Sequence, residues 1–143
     1  GAAWFPDAAL TVAEVAVGFA RVDELRAGLG LAPAAVRPLV RHVVLGETDE
    51  EARRTAVDYL ERSHALHLQR GNPMVAAASV GDTESRLADR YLVGTMATCT
   101  AFVQRLVAEA GVTDLVIKFA GRIDGDEAVF QMRYFSESIH SLP

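Results

Sequence analysis

The stretch Asp89–Gly121, DRYLVGTMATCTAFVQRLVAEAGVTDLVIKFAG, decides how the chain is read. Val93-Gly94-Thr95 reads as a closing turn, and Thr95 or Thr98 offers a side-chain oxygen to the bare N–H groups of a first helical turn. Met96, Cys99, Phe102, Val103, Leu106, Val107 and Ala110 recur every three or four residues, so one face of the helix is apolar. Gly111 supplies the left-handed conformation that ends such a helix, and Val112 covers the last turn. Asp114-Leu115-Val116-Ile117-Lys118-Phe119 then reads as a buried strand. A helix feeding a strand this closely is half of a βαβ unit.

A glycine-bearing turn, a helix ending in Glu109-Ala110-Gly111-Val112 and the strand Asp114-Leu115-Val116-Ile117 resemble the C-terminal part of luciferase-like monooxygenases. Two further stretches resemble the family in the same order. One is the strand-then-helix Val43-Val44-Leu45-Gly46-Glu47-Thr48-Asp49-Glu50-Glu51-Ala52. The other is Tyr134-Phe135-Ser136-Glu137-Ser138-Ile139, which resembles the family's last helix and closes on Leu142-Pro143. The resemblance implies a TIM barrel and a reduced flavin, FMN or the deazaflavin F420. It also implies that the flavin-phosphate contacts and the catalytic histidine or cysteine lie on strands before this region. No catalytic, cofactor-binding or metal-binding residue is therefore carried over to this sequence.

Length and composition set the frame for that resemblance. The chain has 143 residues, half of them apolar, enough for one sizeable core. A (β/α)8 barrel typically takes about 250 residues. The expected fold is accordingly α/β, about half a TIM barrel of parallel strands with flanking helices, in a single unit spanning 1–143. A net charge of −5 and a single lysine, Lys118, argue against a nucleic-acid surface. The lone cysteine, Cys99, excludes an intrachain disulfide and suits a reducing, cytoplasmic compartment. No leader or long apolar run is visible, so no membrane span is expected. The chain starts at Gly1 without methionine, in front of Trp4-Phe5-Pro6, which reads as a tag scar, a processed start or a cut. Under the resemblance, Gly1 would be a break just after a middle strand of the barrel.

Working outward, Thr11-Val12-Ala13-Glu14 has capping-box spacing and opens a helix to about Ala27. Val12, Val15, Phe19, Val22 and Leu25 form its buried stripe, and Glu14, Arg21, Asp23, Glu24 and Arg26 its solvated side. Val36–Gly46 reads as a strand whose pairing starts near Leu39, because Pro38 has no N–H to give. Arg37, Arg41 and His42 interrupt its apolar run, and His42 is read as a packed, hydrogen-bonded histidine. Thr48-Asp49-Glu50-Glu51 is a second capping box, opening the longest helix to about Gln69. Ala52, Ala56, Tyr59, Leu60 and His67 share its face. His64 and His67, at i and i+3, have a spacing that suits a metal, but no third ligand completes a set.

Residues 70–90 form an irregular insertion, with a helix start at Gly81-Asp82-Thr83-Glu84 running through Leu87 and Tyr91. Gly121–Asp126 is a polar loop at the strand's C-terminal end, where barrel enzymes keep their chemistry. Asp124, Asp126 and Glu127 read as a turn and helix start rather than a calcium loop, and the last helix covers about Glu127–Ser138. There is no G-x-S-x-G, Walker, G-x-G-x-x-G or C-x-x-C motif. Cys99 falls on the apolar helix side and reads as an inert buried thiol. Trp4, Phe5 and Phe119 are the candidates to face a flavin or substrate pocket if the rest of a barrel were present; the competing reading makes them core aromatics.

Two functions follow. In the first, the chain is the C-terminal half of a flavin-dependent monooxygenase, holding about three βα units and inactive alone. Its unpaired sheet edges and apolar faces would then drive a homodimer or larger assembly. In the second, it is a stand-alone, non-catalytic α/β module that binds a small molecule or a protein partner.

Overall fold

Strand β1 (Pro38–Leu45) is the element on which the others are laid in the computed structural model, which describes residues 3–71, 83–120 and 125–140. Its sequence, PLVRHVVL, is apolar at both parities, as a strand covered on both faces requires. It pairs in parallel with β2 (Tyr91–Gly94) from His42↔Tyr91 to Leu45↔Gly94. On its other edge it pairs in parallel with β3 (Asp114–Phe119) from Pro38↔Asp114 to Val43↔Phe119. The sheet of the described residues thus has the order β2-β1-β3. Pairing with β3 begins at Pro38 itself, one residue earlier than expected. β2 starts only opposite His42, so Pro38 has no neighbour on that side to disappoint.

Five described helices complete the chain: α1 (Val12–Gly28), α2 (Asp49–Gln69), α3 (Thr83–Leu87), α4 (Met96–Ala110) and α5 (Gly125–His140). They cover both faces of β1. Leu39 packs with Val12, Val15 and Phe19 of α1 and with Leu106 and Ala110 of α4. Val43 shares a cluster with Leu92, Cys99, Val103 and, from α5, Phe135. Val44 faces the other way, into Ala56 and Leu60 of α2, Leu87 of α3 and Ala120. The result is an α/β arrangement of parallel strands flanked by helices, as in part of a (β/α)8 barrel. β2 and β3, consecutive in the chain, are not neighbours in the sheet, however. The second crossover, through α4, carries the chain past β1 to its far edge.

The helix ends are set by local chemistry. Thr11 and Glu14 form the full capping box, with the Thr11 N–H 2.7 Å from Glu14 Oε2 and the Glu14 N–H 3.3 Å from Thr11 Oγ1. At α2 only half of the expected box forms. Thr48 Oγ1 accepts the Glu51 N–H, but the Glu51 carboxylate reaches one residue further back, to the Glu47 N–H at 3.1 Å. Gly111 ends α4 with φ 64°, and buried Val112 covers the last turn.

Several elements differ from the sequence reading, each for a physical reason. Tyr91–Gly94, read as the end of a helix and a turn, is strand β2. Asp89, at φ 58°, breaks the chain out of α3 first, a conformation Asp tolerates. β3 was expected to be buried, but Asp114, Val116 and Lys118 are exposed because no described element covers that face. Leu25 and Val107, placed in buried stripes, are 56% and 54% exposed. Asp23, read as solvated, is half-buried in an ion pair with Arg37. α5 begins at Gly125 and runs to His140, longer than expected. Most of the 70–90 insertion lies outside the described residues.

Arginines fasten the segment before α1 to the sheet. Arg41 is fully buried in β1 and donates to the Ala8 carbonyl at 3.0 Å and the Leu10 carbonyl at 2.7 Å. Arg90 donates to the Ala9 carbonyl between them at 2.7 Å. Burial, then the neighbouring Arg90 charge, pulls the Arg41 pKa down to about 10, still cationic at neutral pH.

Trp4 lies edge-on to Phe19, with ring centroids 5.1 Å apart, and its ring occupies the space a Cβ on Gly18 would need, 2.0 Å from Cη2. Helix propensity alone would favour Ala at Gly18 by about 1 kcal/mol. Overpacking costs about 1–3 kcal/mol and displacing Trp4 loses its aromatic contact. Gly18→Ala should therefore lower stability by about 1 kcal/mol in urea unfolding and shift the emission of Trp4 to the red.

Candidate functional site

The C-terminal ends of β1 and β2 are both finished by glycine, and both glycines are needed there. The Gly46 N–H donates to the Gly94 carbonyl at 3.2 Å, tying the two ends together. Gly94 sits at φ 146°, and a Cβ there would stand 2.6 Å from Asp49 Oδ1. A Cβ on Gly46 would stand 2.8 Å from the Ala52 backbone nitrogen. Backbone therefore forms the floor at this end of the sheet.

Asp49, the first residue of α2, joins that floor to the start of α4. Its Oδ1 accepts the Thr95 N–H at 2.7 Å and the Thr98 hydroxyl at 2.8 Å. Thr95 is itself the N-cap of α4 and accepts the Thr98 N–H at 3.3 Å. The Thr95 N–H, followed by the Thr98 hydroxyl, holds the Asp49 carboxyl below its ordinary value of 3.8. Next to this staple opens a cleft of about 750 Å³. Glu47 lines it from the β1–α2 connection, Glu51 from the first turn of α2, Met96 and Ala97 from α4, and Phe130 and Tyr134 from α5. The last two rings are stacked, with centroids 6.1 Å apart and planes at 13°.

The reversal of strand order around β1 also favours this end of the sheet, since open parallel sheets bind ligands beyond the strands' C-terminal ends at such a point. The cleft offers a glycine floor, acidic side chains and an aromatic wall. Its residues do not fit a flavin phosphate. Among the described residues no arginine or lysine lines it, and Asp49 already occupies the N–H of Thr95, the N-cap of α4. Glu47 and Glu51 would repel a dianion as well.

A second cavity, an apolar groove of about 680 Å³, lies between β3, α4 and α5. Phe119 lines it and meets Phe135 edge-on at 6.0 Å. Trp4 is half-buried against Phe19 and Gly18 in the α1 core, and Phe5 is 52% exposed. The structure thus does not gather Trp4, Phe5 and Phe119 into one pocket, and none of them is among the residues lining the acidic cleft.

His42 is half-buried between Tyr59, at 6.1 Å, and Tyr91, at 5.3 Å. Burial, then the charges of Lys118 and Arg41, lowers its pKa, so it is a neutral packed imidazole at pH 7. Cys99 is fully buried, and burial pushes its thiol pKa up to about 12, which makes it unreactive. The described residues contain no group of three or more side chains able to hold a metal; Asp124 and the side chains of His67 and Glu127 lie outside them. Sequence reasoning missed Asp49 as a bridge because it spans 46 residues. The local signal showed only an acid in a first helical turn.

The fold is similar to part of the fold of several larger solved proteins. Among solved structures it is similar to monooxygenase RslO1 from Streptomyces bottropensis, with TM-score 0.67 and 21% identity over 97% of this chain and 40% of that one. MsnO8, in its apo form, matches with TM-score 0.58 and 18% identity over 99% of this chain and 45% of that one. The oxygenating constituent of 3,6-diketocamphane monooxygenase from Pseudomonas putida, a type II Baeyer–Villiger monooxygenase in complex with FMN, matches with TM-score 0.55 and 16% identity. That match spans 94% of this chain and 38% of that one. The chain therefore spans less than half the length of these structural neighbours. No protein-family model matches the sequence, and no curated protein matches it significantly.

The depressed pKa of Asp49 gives a pH test. Its contribution to stability is complete above the unfolded value near 3.8 and is lost as pH falls through the lower folded value. Asp49→Asn should reduce the urea midpoint at pH 7 and flatten the loss of stability as pH falls below the ordinary carboxyl value of 3.8. An unchanged acid limb in the variant would count against the staple.

Proposed function

We propose that these residues are the C-terminal portion of a luciferase-like flavin-dependent monooxygenase, an oxidoreductase using reduced FMN or F420 on a small organic substrate. The observation that carries this reading is the match over 94–99% of the chain but only 38–45% of each solved monooxygenase. In this reading the chain supplies a wall and the strand-end floor of a site, while the flavin phosphate is held by residues elsewhere in the parent. The acidic lining around Asp49, Glu47 and Glu51 supports that division. The isolated chain is accordingly not catalytic and binds no flavin. Among the described residues no helix is long and apolar enough to cross a membrane, and the buried, unreactive Cys99 suits a reducing cytoplasm.

A second reading, a stand-alone binding module, is favoured by the apolar groove beside β3, which accepts an occupant without any catalytic group.

The two are separated by the intact mass of the protein from its native host, read together with a flavin titration. The monooxygenase reading expects a native mass at least twice the 15.4 kDa of this chain. It also expects no saturable quenching of FMN or F420 fluorescence by the 143 residues. A native mass of 15.4 kDa would favour the module, and tight flavin binding would show that the cofactor site has been misplaced.

A further inference from the structure

The two edges of the sheet are unlike. β2 offers four residues and ends at Gly94, a short edge of the kind that discourages pairing. β3 offers six, and its outer edge has no strand beside it among the described residues. Val116 on β3 is 50% exposed, and Val107 and Met132, bordering the adjoining groove, are 54% and 52% exposed. An exposed apolar edge of this length calls for a partner.

The sequence of the edge says which partner. Asp114-Leu115-Val116-Ile117-Lys118 is self-complementary about its centre. If a second β3 lies antiparallel with a two-fold axis through Val116, Val116 faces its own copy. Leu115 then faces Ile117, and Asp114 faces Lys118, twice over. Opposite residues on antiparallel strands share a face. The two valines and both ion pairs therefore fall on the exposed face, and Leu115 and Ile117 of each copy fall on the face of the apolar groove. Lys118 is the only lysine in the chain and forms no ion pair among the described residues. Among the described residues Asp114 accepts the hydroxyl of Thr113, at 2.7 Å, and forms no ion pair.

We propose that the free edge of β3 is the two-fold seam of a homodimer, in which β3 pairs antiparallel with β3 of a second copy and Asp114 meets Lys118 across the axis. The two three-stranded sheets join into one of six strands. The contact is isologous, so it closes at two copies and does not propagate into a filament. The inference belongs with the stand-alone reading, because a parent barrel would supply a strand of its own at β3, and a dimer that binds no flavin satisfies it in full.

The test is sedimentation equilibrium on the wild-type chain and three charge variants. Wild type is expected at twice 15.4 kDa. Lys118→Glu and Asp114→Lys each set like charges opposite one another at two places, and each should weaken the dimer about tenfold. The exchange variant, Asp114→Lys with Lys118→Asp, restores opposite charges and should recover the dimer. Far-ultraviolet circular dichroism identifies any variant that fails to fold, in which case the other single variant carries the comparison. A wild-type monomer at every concentration overturns the proposal and leaves the edge to a strand of a different polypeptide. A dimer indifferent to charge reversal, or a folded exchange variant that stays monomeric, overturns it equally.

Discussion

Two-sided pairing and two-sided burial of β1 is the constraint on which the remaining structure depends. A strand hydrogen-bonded on both edges and covered on both faces cannot accept a one-residue slip, because every side chain would change layer. Leu39 and Val43 are fully buried toward α1 and α4, and Val44 toward α2. A slip would bring the fully buried Arg41 into an apolar cluster. Its guanidinium belongs where three consecutive carbonyls, of Ala8, Ala9 and Leu10, are bonded by it and by Arg90. All but one of the 14 basic residues are arginine. A planar fork with several donors suits such carbonyls better than a lysine ammonium. Among the described residues the same buried charge has no carboxylate bonded to it, so it adds more to register than to stability.

The end of the sheet where chemistry would be done follows from the same strand. Leu45 hands the chain to Gly46, and Leu92 and Val93 hand it to Gly94, at adjacent positions of the ladder. Two strands that end together without side chains leave a backbone floor, and the two helices that follow must start beside it. Asp49 then satisfies the N–H of Thr95, the N-cap of α4, from the first turn of α2, so two helix starts depend on one carboxylate. The gain in rigidity costs the site its anion-binding capacity. A helix N-terminus that already holds a carboxylate has little left for a phosphate.

Features that depend on a few adjacent residues were legible in the sequence, and those that depend on distant neighbours were not. Thr11 with Glu14, Thr48, Thr95 and Gly111 announce helix ends through bonds within one turn. The stripe of Cys99, Val103, Leu106 and Ala110 follows from helical period alone. β2 was missed because four residues carry too little alternation to outweigh a glycine turn signal. β3 was read as buried because apolar content announces a strand but not which of its faces is covered. For the candidate site the sequence showed its end of the sheet and the absence of a catalytic motif. The Asp49 staple and the glycine floor required knowledge of which strands lie side by side.

The sheet's incompleteness is concentrated at one place, and this bears on both readings of function. The face of β1 and β2 toward α2 is covered, and the face of all three strands toward α4 and α5 is at least half-covered. Beyond the short outer edge of β2, what remains open among the described residues is the outer face and edge of β3, at Asp114, Val116 and Lys118. In a closed barrel no strand keeps a free edge, so a chain matching two-fifths of such a protein must complete its sheet somewhere. A parent barrel would supply a strand of its own at β3. Without one, the alternation of acid, apolar residues and lysine along this edge makes a second copy the complementary partner. Occupation of the β3 edge thus decides whether the fold serves as part of an enzyme or as an assembly of its own.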